Sequence, residues 1–220
     1  MISKLPKWVE FGGCYLAFLA GSVNAIGFLG FKHQAVSHLT GVSTLLGVGL
    51  AQMEWQISLH LGLIFLSFIV GAALSGALIG NATLALGRRY SVVLLIESLF
   101  LLLSAYLLNR GIEIGHFFAS AACGLQNSMA MSYSGSFIRT TYVSGLFTDI
   151  GLMLGLRLRG VPVDRRKMIL YSLLIIGFIS GGSMGSIAYT LFDFSALYLP
   201  ASMAALLAAI YWLYRRKQYQ

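Results

Sequence analysis

The chain alternates long apolar stretches with short polar connections. Six of the stretches are about 20 residues long and contain few charges, which is the length that a helix needs to cross the hydrocarbon of a bilayer. They cover approximately residues 9–31, 57–80, 90–109, 114–134, 168–190 and 195–214. Because backbone polar groups find no water in lipid, such stretches predict helices. The pattern therefore predicts an all-α, polytopic membrane protein.

Two further apolar segments, at about 35–52 and 140–157, differ from these six. Both are shorter and rich in Gly, Ser and Thr, and each begins with a polar motif. The motifs are Ser37-His38-Leu39-Thr40-Gly41 and Thr141-Tyr142-Val143-Ser144-Gly145. Such segments predict either short membrane spans or broken, re-entrant helices.

The two halves of the chain resemble each other in the order and spacing of these motifs. The matching positions are Thr40 with Ser144, Gly41 with Gly145, Thr44 with Thr148 and Gly47 with Gly151. Asn24 lies one residue out of register with Asn127, and Ile69-Val70-Gly71 resembles Ile179-Ser180-Gly181 after a six-residue shift. We therefore predict an internal duplication within a single membrane domain over residues 1–220. Repeat one covers about 8–109 and repeat two about 112–214.

The distribution of basic residues predicts the topology. With the N-terminus inside, six spans and two re-entrant elements place 13 Lys and Arg inside and 2 outside, whereas eight spans place 11 inside and 4 outside. The positive-inside rule favours the six-span arrangement. Each repeat then has three spans, so the repeats are inverted relative to each other. Both termini are cytoplasmic in either arrangement.

Composition and charge narrow the function classes. Hydrophobic residues make up 58% of the chain and charged residues only 10%, against about 25% charged in soluble domains. The net charge is +8, and the basic residues lie between the apolar segments, where they act as topology signals. We therefore expect the lipid bilayer as a partner and no nucleic acid. Cys14 and Cys123 lie inside apolar segments and are expected to be small buried hydrophobes.

Several enzyme signatures are missing from the sequence. It contains no phosphate-binding loop, no zinc-spaced His and Cys set and no nucleophile elbow. Ser37 and His38 are neighbours on one element and point in different directions, so they are not a catalytic pair. We expect no catalytic residue, no metal and no cofactor.

The candidate binding site combines polar residues of the spans with the starts of the two short segments. Half-helices beginning near Thr40 and Ser144 would each carry about half a positive charge at the N-terminus, which favours anions, and Arg139 would add a full charge. Asn24, Gln126 and Asn127 either bind solute or hold helices together. The full set of candidate substrate-binding residues is Asn24, Ser37, His38, Thr40, Gly41, Thr44, Gln126, Asn127, Arg139, Thr141, Ser144, Gly145 and Thr148.

Two carboxylates, Glu97 and Asp149, lie well inside apolar segments. A bare charge at the bilayer centre costs a few kcal/mol even on insertion scales. Each carboxylate is therefore expected to have a polar partner or a water-filled space. They are candidates for carrying a coupling proton, or for pairing with Arg139.

The motif set resembles a known family. The motifs are Gly21-Ser22-Val23-Asn24-Ala25-Ile26-Gly27-Phe28, Ser37-His38-Leu39-Thr40-Gly41, Gly124-Leu125-Gln126-Asn127, Arg139-Thr140-Thr141-Tyr142-Val143-Ser144-Gly145 and Thr148-Asp149. Together they resemble the YoaK-like family of bacterial inner-membrane proteins (domain of unknown function 1275) over essentially the whole chain. The resemblance implies a bacterial inner membrane and brings no established activity. In the family pattern an Asp is common where Asn24 stands and an Asn where Val42 stands.

Three function classes follow from these observations. The leading hypothesis is a small secondary transporter or channel-like carrier for a small anionic or zwitterionic solute. The alternative is a non-transporting membrane scaffold or sensor, and an intramembrane enzyme comes third. A carrier needs a hydrated central cavity that reaches Thr40 and Ser144, whereas a scaffold needs a filled, dry centre. The sequence leaves the oligomeric state open, a homo-oligomer included.

Overall fold

The structure, a computed structural model, describes residues 8–30, 36–80, 88–134 and 138–218. These ranges contain helices and connections, with no strand among them. The helices are α1 (Trp8–Gly30), α2 (Leu39–Ala51), α3 (Trp55–Ile79), α4 (Arg88–Leu108), α5 (Gly115–Ser134), α6 (Val143–Leu158), α7 (Arg165–Phe192) and α8 (Tyr198–Gln218), with a 3-10 turn at Asp193–Leu197 between the last two. The all-α prediction is confirmed, and all eight predicted segments are helical.

Several of these helices are suited to a membrane. Four stretches of the described residues are long and apolar enough to cross a bilayer: Glu10–Gly30, Trp55–Ile79, Arg89–Leu108 and Arg165–Leu213, the last of which includes both α7 and α8. Helix α5 is more polar than these stretches. It packs against α3 and α4, and 13 of its 20 residues are buried, so its side chains face protein and need not be lipophilic.

Two helix pairs form the frame of the bundle. The most extensive packing is between α1 and α7 and between α3 and α5. A Cβ placed on Gly21 would overlap the Phe178 carbonyl oxygen, and one on Gly181 would overlap that of Phe18. As residue numbers rise on α1, from Cys14 through Phe18 to Ser22, those of its contacts on α7 rise as well, so the two helices are parallel. Small residues at such contacts let two backbones approach closely.

The pair α3 and α5 makes the same contacts. A Cβ on Gly124 would overlap the Phe68 carbonyl oxygen, and one on Gly71 would overlap that of Ala121. One serine also bonds across each pair: Ser22 Oγ donates to the Gly181 carbonyl and Ser120 Oγ to the Ile64 carbonyl, both at 2.9 Å. The glycine contacts of the two pairs correspond in the register of the sequence repeat, as Gly71 and Gly181 do.

The two short helices lie outside this frame. Among the described elements, α2 packs only on α3 and α6 only on α7. At 13 and 16 residues they are roughly 20 and 24 Å long at 1.5 Å per residue, which is less than the ~30 Å of the hydrocarbon core. Both follow non-helical chain, at residues 36–38 and 138–142. The predicted starts near Thr40 and Ser144 are thus confirmed to within one residue.

The glycine contacts predict a position-specific loss of stability. Gly181→Ala should lower the free energy of unfolding by about 1–3 kcal/mol, because its methyl group has no room against the α1 backbone. Its neighbour Gly182 has only an ordinary contact, 3.8 Å from a Cβ to the Gly21 carbonyl oxygen, so Gly182→Ala is the control and should be neutral or stabilising. Thermal unfolding in lipid nanodiscs measures both variants, and equal stabilities would contradict close packing at Gly181.

Candidate functional site

The starts of both short helices face one cavity of about 620 Å³, called here the central cavity. This volume lies within the range of small-molecule pockets, about 300–1,000 Å³. Its walls come from both halves of the chain: Asn24, Ser37, His38, Leu39, Thr40, Phe68, Asn127, Met131, Arg139, Thr141, Tyr142, Val143, Ser144, Phe147 and Phe178. Eight of the thirteen predicted binding residues are among them. The predicted meeting of the segments at Thr40 and Ser144 is therefore present.

The lining is built in corresponding pairs. With the one-residue and six-residue shifts of the sequence repeat, Asn24 pairs with Asn127, Ser37 with Thr141, His38 with Tyr142, Leu39 with Val143, Thr40 with Ser144, and Phe68 with Phe178. Each half of the chain thus contributes similar chemistry to the lining, an amide from each and a hydroxyl from each. The largest difference is Tyr142 in the place of His38.

Free backbone donors lie at the start of α6. The N–H groups of Val143, Ser144 and Gly145 have no acceptor among the described residues, and Tyr142 caps the helix without a side-chain bond. At the start of α2, His38 Nδ1 accepts from the Gly41 N–H at 3.2 Å. Free N–H groups and the helix dipole make the first turn of a helix electropositive.

The amide of Asn24 holds the chain that leads into α2. Its Oδ1 accepts from Ser37 Oγ at 2.7 Å and from the Ser37 N–H at 3.3 Å. Asn24 therefore satisfies backbone that would otherwise lack a partner. Its counterpart Asn127 contacts only Met131 Sδ, at 3.9 Å, and its Oδ1 has no partner among the described residues. The two amides were predicted to bind solute or to hold helices together. Asn24 bonds within the chain, while Asn127 lines the central cavity but its Oδ1 is buried.

Gly41 and Gly145, both candidate binding residues, are not among the residues that line the central cavity. A Cβ on Gly41 would lie 2.6 Å from His38 Nδ1, and one on Gly145 would overlap the Tyr142 ring. Each glycine makes room for the ring that precedes its helix. The rings, rather than the glycines, form the cavity wall.

Arg139 is the one permanently charged residue among those that line the central cavity. It is half-buried, and its guanidinium carbon lies 5.2 Å from the centroid of the Tyr142 ring. Within the described part of the chain no carboxylate comes within salt-bridge distance of it. The alternative in which Asp149 or Glu97 pairs with Arg139 is therefore not seen among the described residues, and the guanidinium keeps its donors for another partner.

A smaller cavity of about 370 Å³, called here the side cavity, shares Arg139 and Tyr142 with the central cavity. Its other lining residues are Gly145, Leu146, Thr148, Asp149 and Tyr171. Asp149 thus faces open space rather than lipid, as expected. Thr148 Oγ1 donates to the Ser144 carbonyl at 3.0 Å, as Thr44 Oγ1 does to the Thr40 carbonyl at 3.2 Å.

Four predicted residues, Gly41 among them, lie away from both cavities. Thr44 is exposed and bonds within its own helix. Gln126 and Glu97 are both buried, and Gln126 Nε2 donates to Glu97 Oε1 at 2.9 Å. Glu97 therefore has the polar partner that was expected for it. Among the described residues no three His, Cys, Asp or Glu side chains gather as a metal site would require.

Sequence reasoning missed the apolar walls of the central cavity. Phe68, Phe178 and Met131 lie in apolar spans, where such residues usually face lipid or core. The repeat register was the available signal, because it pairs Phe68 with Phe178 and both precede a packing glycine by three residues. Their carbonyls touch Gly124 and Gly21, so the close helix contacts also fix the aromatic walls.

The Asn24 contact predicts how substitutions there behave. Asn24→Ala removes the acceptor of two hydrogen bonds and should lower the free energy of unfolding by about 1–3 kcal/mol. Asn24→Asp retains an acceptor oxygen and should keep most of that stability. Hydrogen exchange at the Ser37 amide gives the local measurement. Exchange in Asn24→Ala that is as slow as in the unmodified protein would show that the amide does not hold this segment.

Comparison with known proteins gives a family. No curated protein and no solved structure matches the chain. The model of a family described as protein of unknown function, DUF1275, matches residues 12–210. This range contains every residue named above as lining either cavity, together with all the glycines of the helix frame. The chain belongs to the DUF1275 family of proteins of unknown function.

Proposed function

We propose that this protein is a small secondary transporter or channel-like carrier for a small anion. The observation that carries the proposal is the central cavity, into which the starts of α2 and α6 both open beside Arg139. The alternative, a scaffold whose polar motifs only lock helix packing, needs a centre filled by side chains. The open volume between Thr40 and Ser144 favours a carrier.

The charge of the lining supports an anion as the solute. Arg139 contributes a full positive charge, and the described lining of the central cavity contains no carboxylate. The free N–H groups at the start of α6 and the hydroxyls of Thr40 and Ser144 add donors without charge. Hydrogen bonds to a charged group contribute about 1.5–3 kcal/mol each. A zwitterion would offer the same carboxylate to this wall, but its ammonium group would find no acidic side chain there.

The proposal includes an inverted repeat of three spans and one re-entrant helix in each half. The corresponding glycine contacts of α1 with α7 and of α5 with α3 support it, because each pair joins the first helix of one half to the third of the other. Transporters with this plan bind substrate at the interface between the repeats, at broken helices. We also propose a bacterial inner membrane, six spans and cytoplasmic termini.

Uptake by reconstituted protein tests the proposal. The probes are radiolabelled acetate, lactate, phosphate and sulfate, with glycine and alanine as zwitterions. Arg139→Gln should weaken uptake of the transported probe roughly tenfold or more, because it removes a charged donor worth more than 1.4 kcal/mol. Arg159→Gln is the matched control, since Arg159 is exposed at the end of α6.

The outcomes separate the two functions. Uptake of at least one anion by the unmodified protein and by Arg159→Gln, lost in a stable Arg139→Gln variant, supports the carrier. Thermal unfolding of each variant shows that it is folded. If folded, unmodified protein takes up none of the probes, or if Arg139→Gln transports as well as the control, the scaffold is favoured instead.

A further inference from the structure

Glu97 is an acidic group buried in the bundle, and the carrier proposed above does not yet use it. The residue is 1% exposed and lies on α4, which packs against α5 and α8. Within the described part of the chain, its only hydrogen bond is the one that Oε1 accepts from Gln126 Nε2. No basic side chain of the described residues lies within salt-bridge distance of the carboxyl. A buried carboxylate without a cation is costly.

The hydrogen bonding around Glu97 lacks one proton. Glu97 Oε2 and Gln126 Oε1 are both buried, and neither has a partner among the described residues. If Glu97 is ionised, both oxygens are acceptors, so neither can donate a hydrogen bond to the other. If Oε2 carries a proton it becomes a donor, and an acid and an amide can then form a two-bond pair. One proton therefore satisfies both atoms and removes the buried charge.

A short chain of polar contacts leads from Glu97 to the central cavity. The Cys123 thiol lies near Ser37 and close enough to the Glu97 carboxyl to interact with it electrostatically. Ser37 Oγ in turn donates to Asn24 Oδ1, and both of these residues line the central cavity. The other titratable group in electrostatic contact with Glu97 is Tyr15 of α1. Cys123 and Tyr15 are both neutral groups, so the charge state near this wall depends on Glu97.

We propose that Glu97 carries a proton that moves together with the anion, which makes the protein a proton–anion symporter. This inference rests on the carrier function proposed above. When Glu97 is protonated, it places no negative charge near the cavity wall formed by Ser37 and Asn24. The anion then binds beside Arg139. When the proton leaves Glu97, the carboxylate repels the anion through a medium of low dielectric constant. By linkage, a bound anion equally strengthens proton binding at Glu97.

Infrared spectroscopy tests the protonation directly, without any solute. The unmodified protein in lipid at neutral pH should show the C=O stretch of a protonated carboxyl group. The band should be missing in Glu97→Gln, which keeps the shape of the side chain and a hydrogen bond to Gln126. It should persist in Glu113→Gln, the matched control, since Glu113 is exposed just before α5. Spectra of Glu97→Gln and unmodified protein that are identical in this region would overturn the proposal.

Transport tests the coupling. With an inward proton gradient, unmodified protein and Glu113→Gln should accumulate whichever of acetate, lactate, phosphate or sulfate is carried. Glu97→Gln should still exchange that anion across the membrane but should not accumulate it. As rising pH removes the proton, the apparent affinity of the unmodified protein for the anion should fall ~5–150-fold, which is the usual range of such couplings. The affinity of Glu97→Gln for the anion should be independent of pH.

Two results would overturn the inference in distinguishable ways. One result is that the proton gradient does not change the rate of anion uptake by unmodified protein, or that Glu97→Gln accumulates the anion normally. The carrier function is then retained, and Glu97 is only a structural partner of Gln126. If folded, unmodified protein takes up none of the four anions, the carrier function itself fails, and the proposed symport fails with it.

Discussion

A peptide group in hydrocarbon has no water to bind, and this constraint determines where the chain can leave the helical conformation. Non-helical backbone at membrane depth is tolerated only where protein encloses it or where it lines a cavity. The stretches 36–38 and 138–142 meet this condition, because residues from both line the central cavity. One break is held by the Asn24 amide. The other leaves free N–H groups at the start of α6, which gives the site its electropositive character.

The glycine contacts of the long helices make room for these breaks. Because α1 and α7 touch backbone to backbone, as do α3 and α5, each pair forms a compact unit on one wall of the central cavity. The residues whose carbonyls face the glycines include Phe68 and Phe178, and their rings are the aromatic walls. The same contacts thus hold the bundle together and shape the site. This is why a methyl group at Gly181 is expected to be costly although the residue touches no solute.

Hydropathy and motif spacing predicted the helices, the starts of α2 and α6 and most of the polar lining. These features depend on local chemistry, since an apolar run must be helical in lipid and a Thr-Gly or Ser-Gly motif suits a helix start. The packing of the His38 and Tyr142 rings beside Gly41 and Gly145 could not be predicted from the sequence, because only three-dimensional contacts show it. Arg139 was named as a candidate ligand and lines the central cavity, but the absence of a described carboxylate within salt-bridge distance of it could not be derived from spacing.

The pairing of Glu97 with Gln126 shows a further limit of the sequence. Both residues were recognised as polar groups in apolar spans, but they lie 29 positions apart on different helices. Only the packing of α4 against α5 brings them together. It also turns one candidate binding residue, Gln126, into the partner of a buried acid away from the cavity.

The most direct test of the central claim is to locate a bound anion in an experimental structure. Crystals of the protein grown with bromide or selenate would show the ion by its anomalous scattering. The account predicts a peak in the central cavity, in contact with Arg139 and with the backbone N–H groups at the start of α6. Side chains or lipid filling the space between Thr40 and Ser144, with ions bound only at surface arginines such as Arg157, would contradict it.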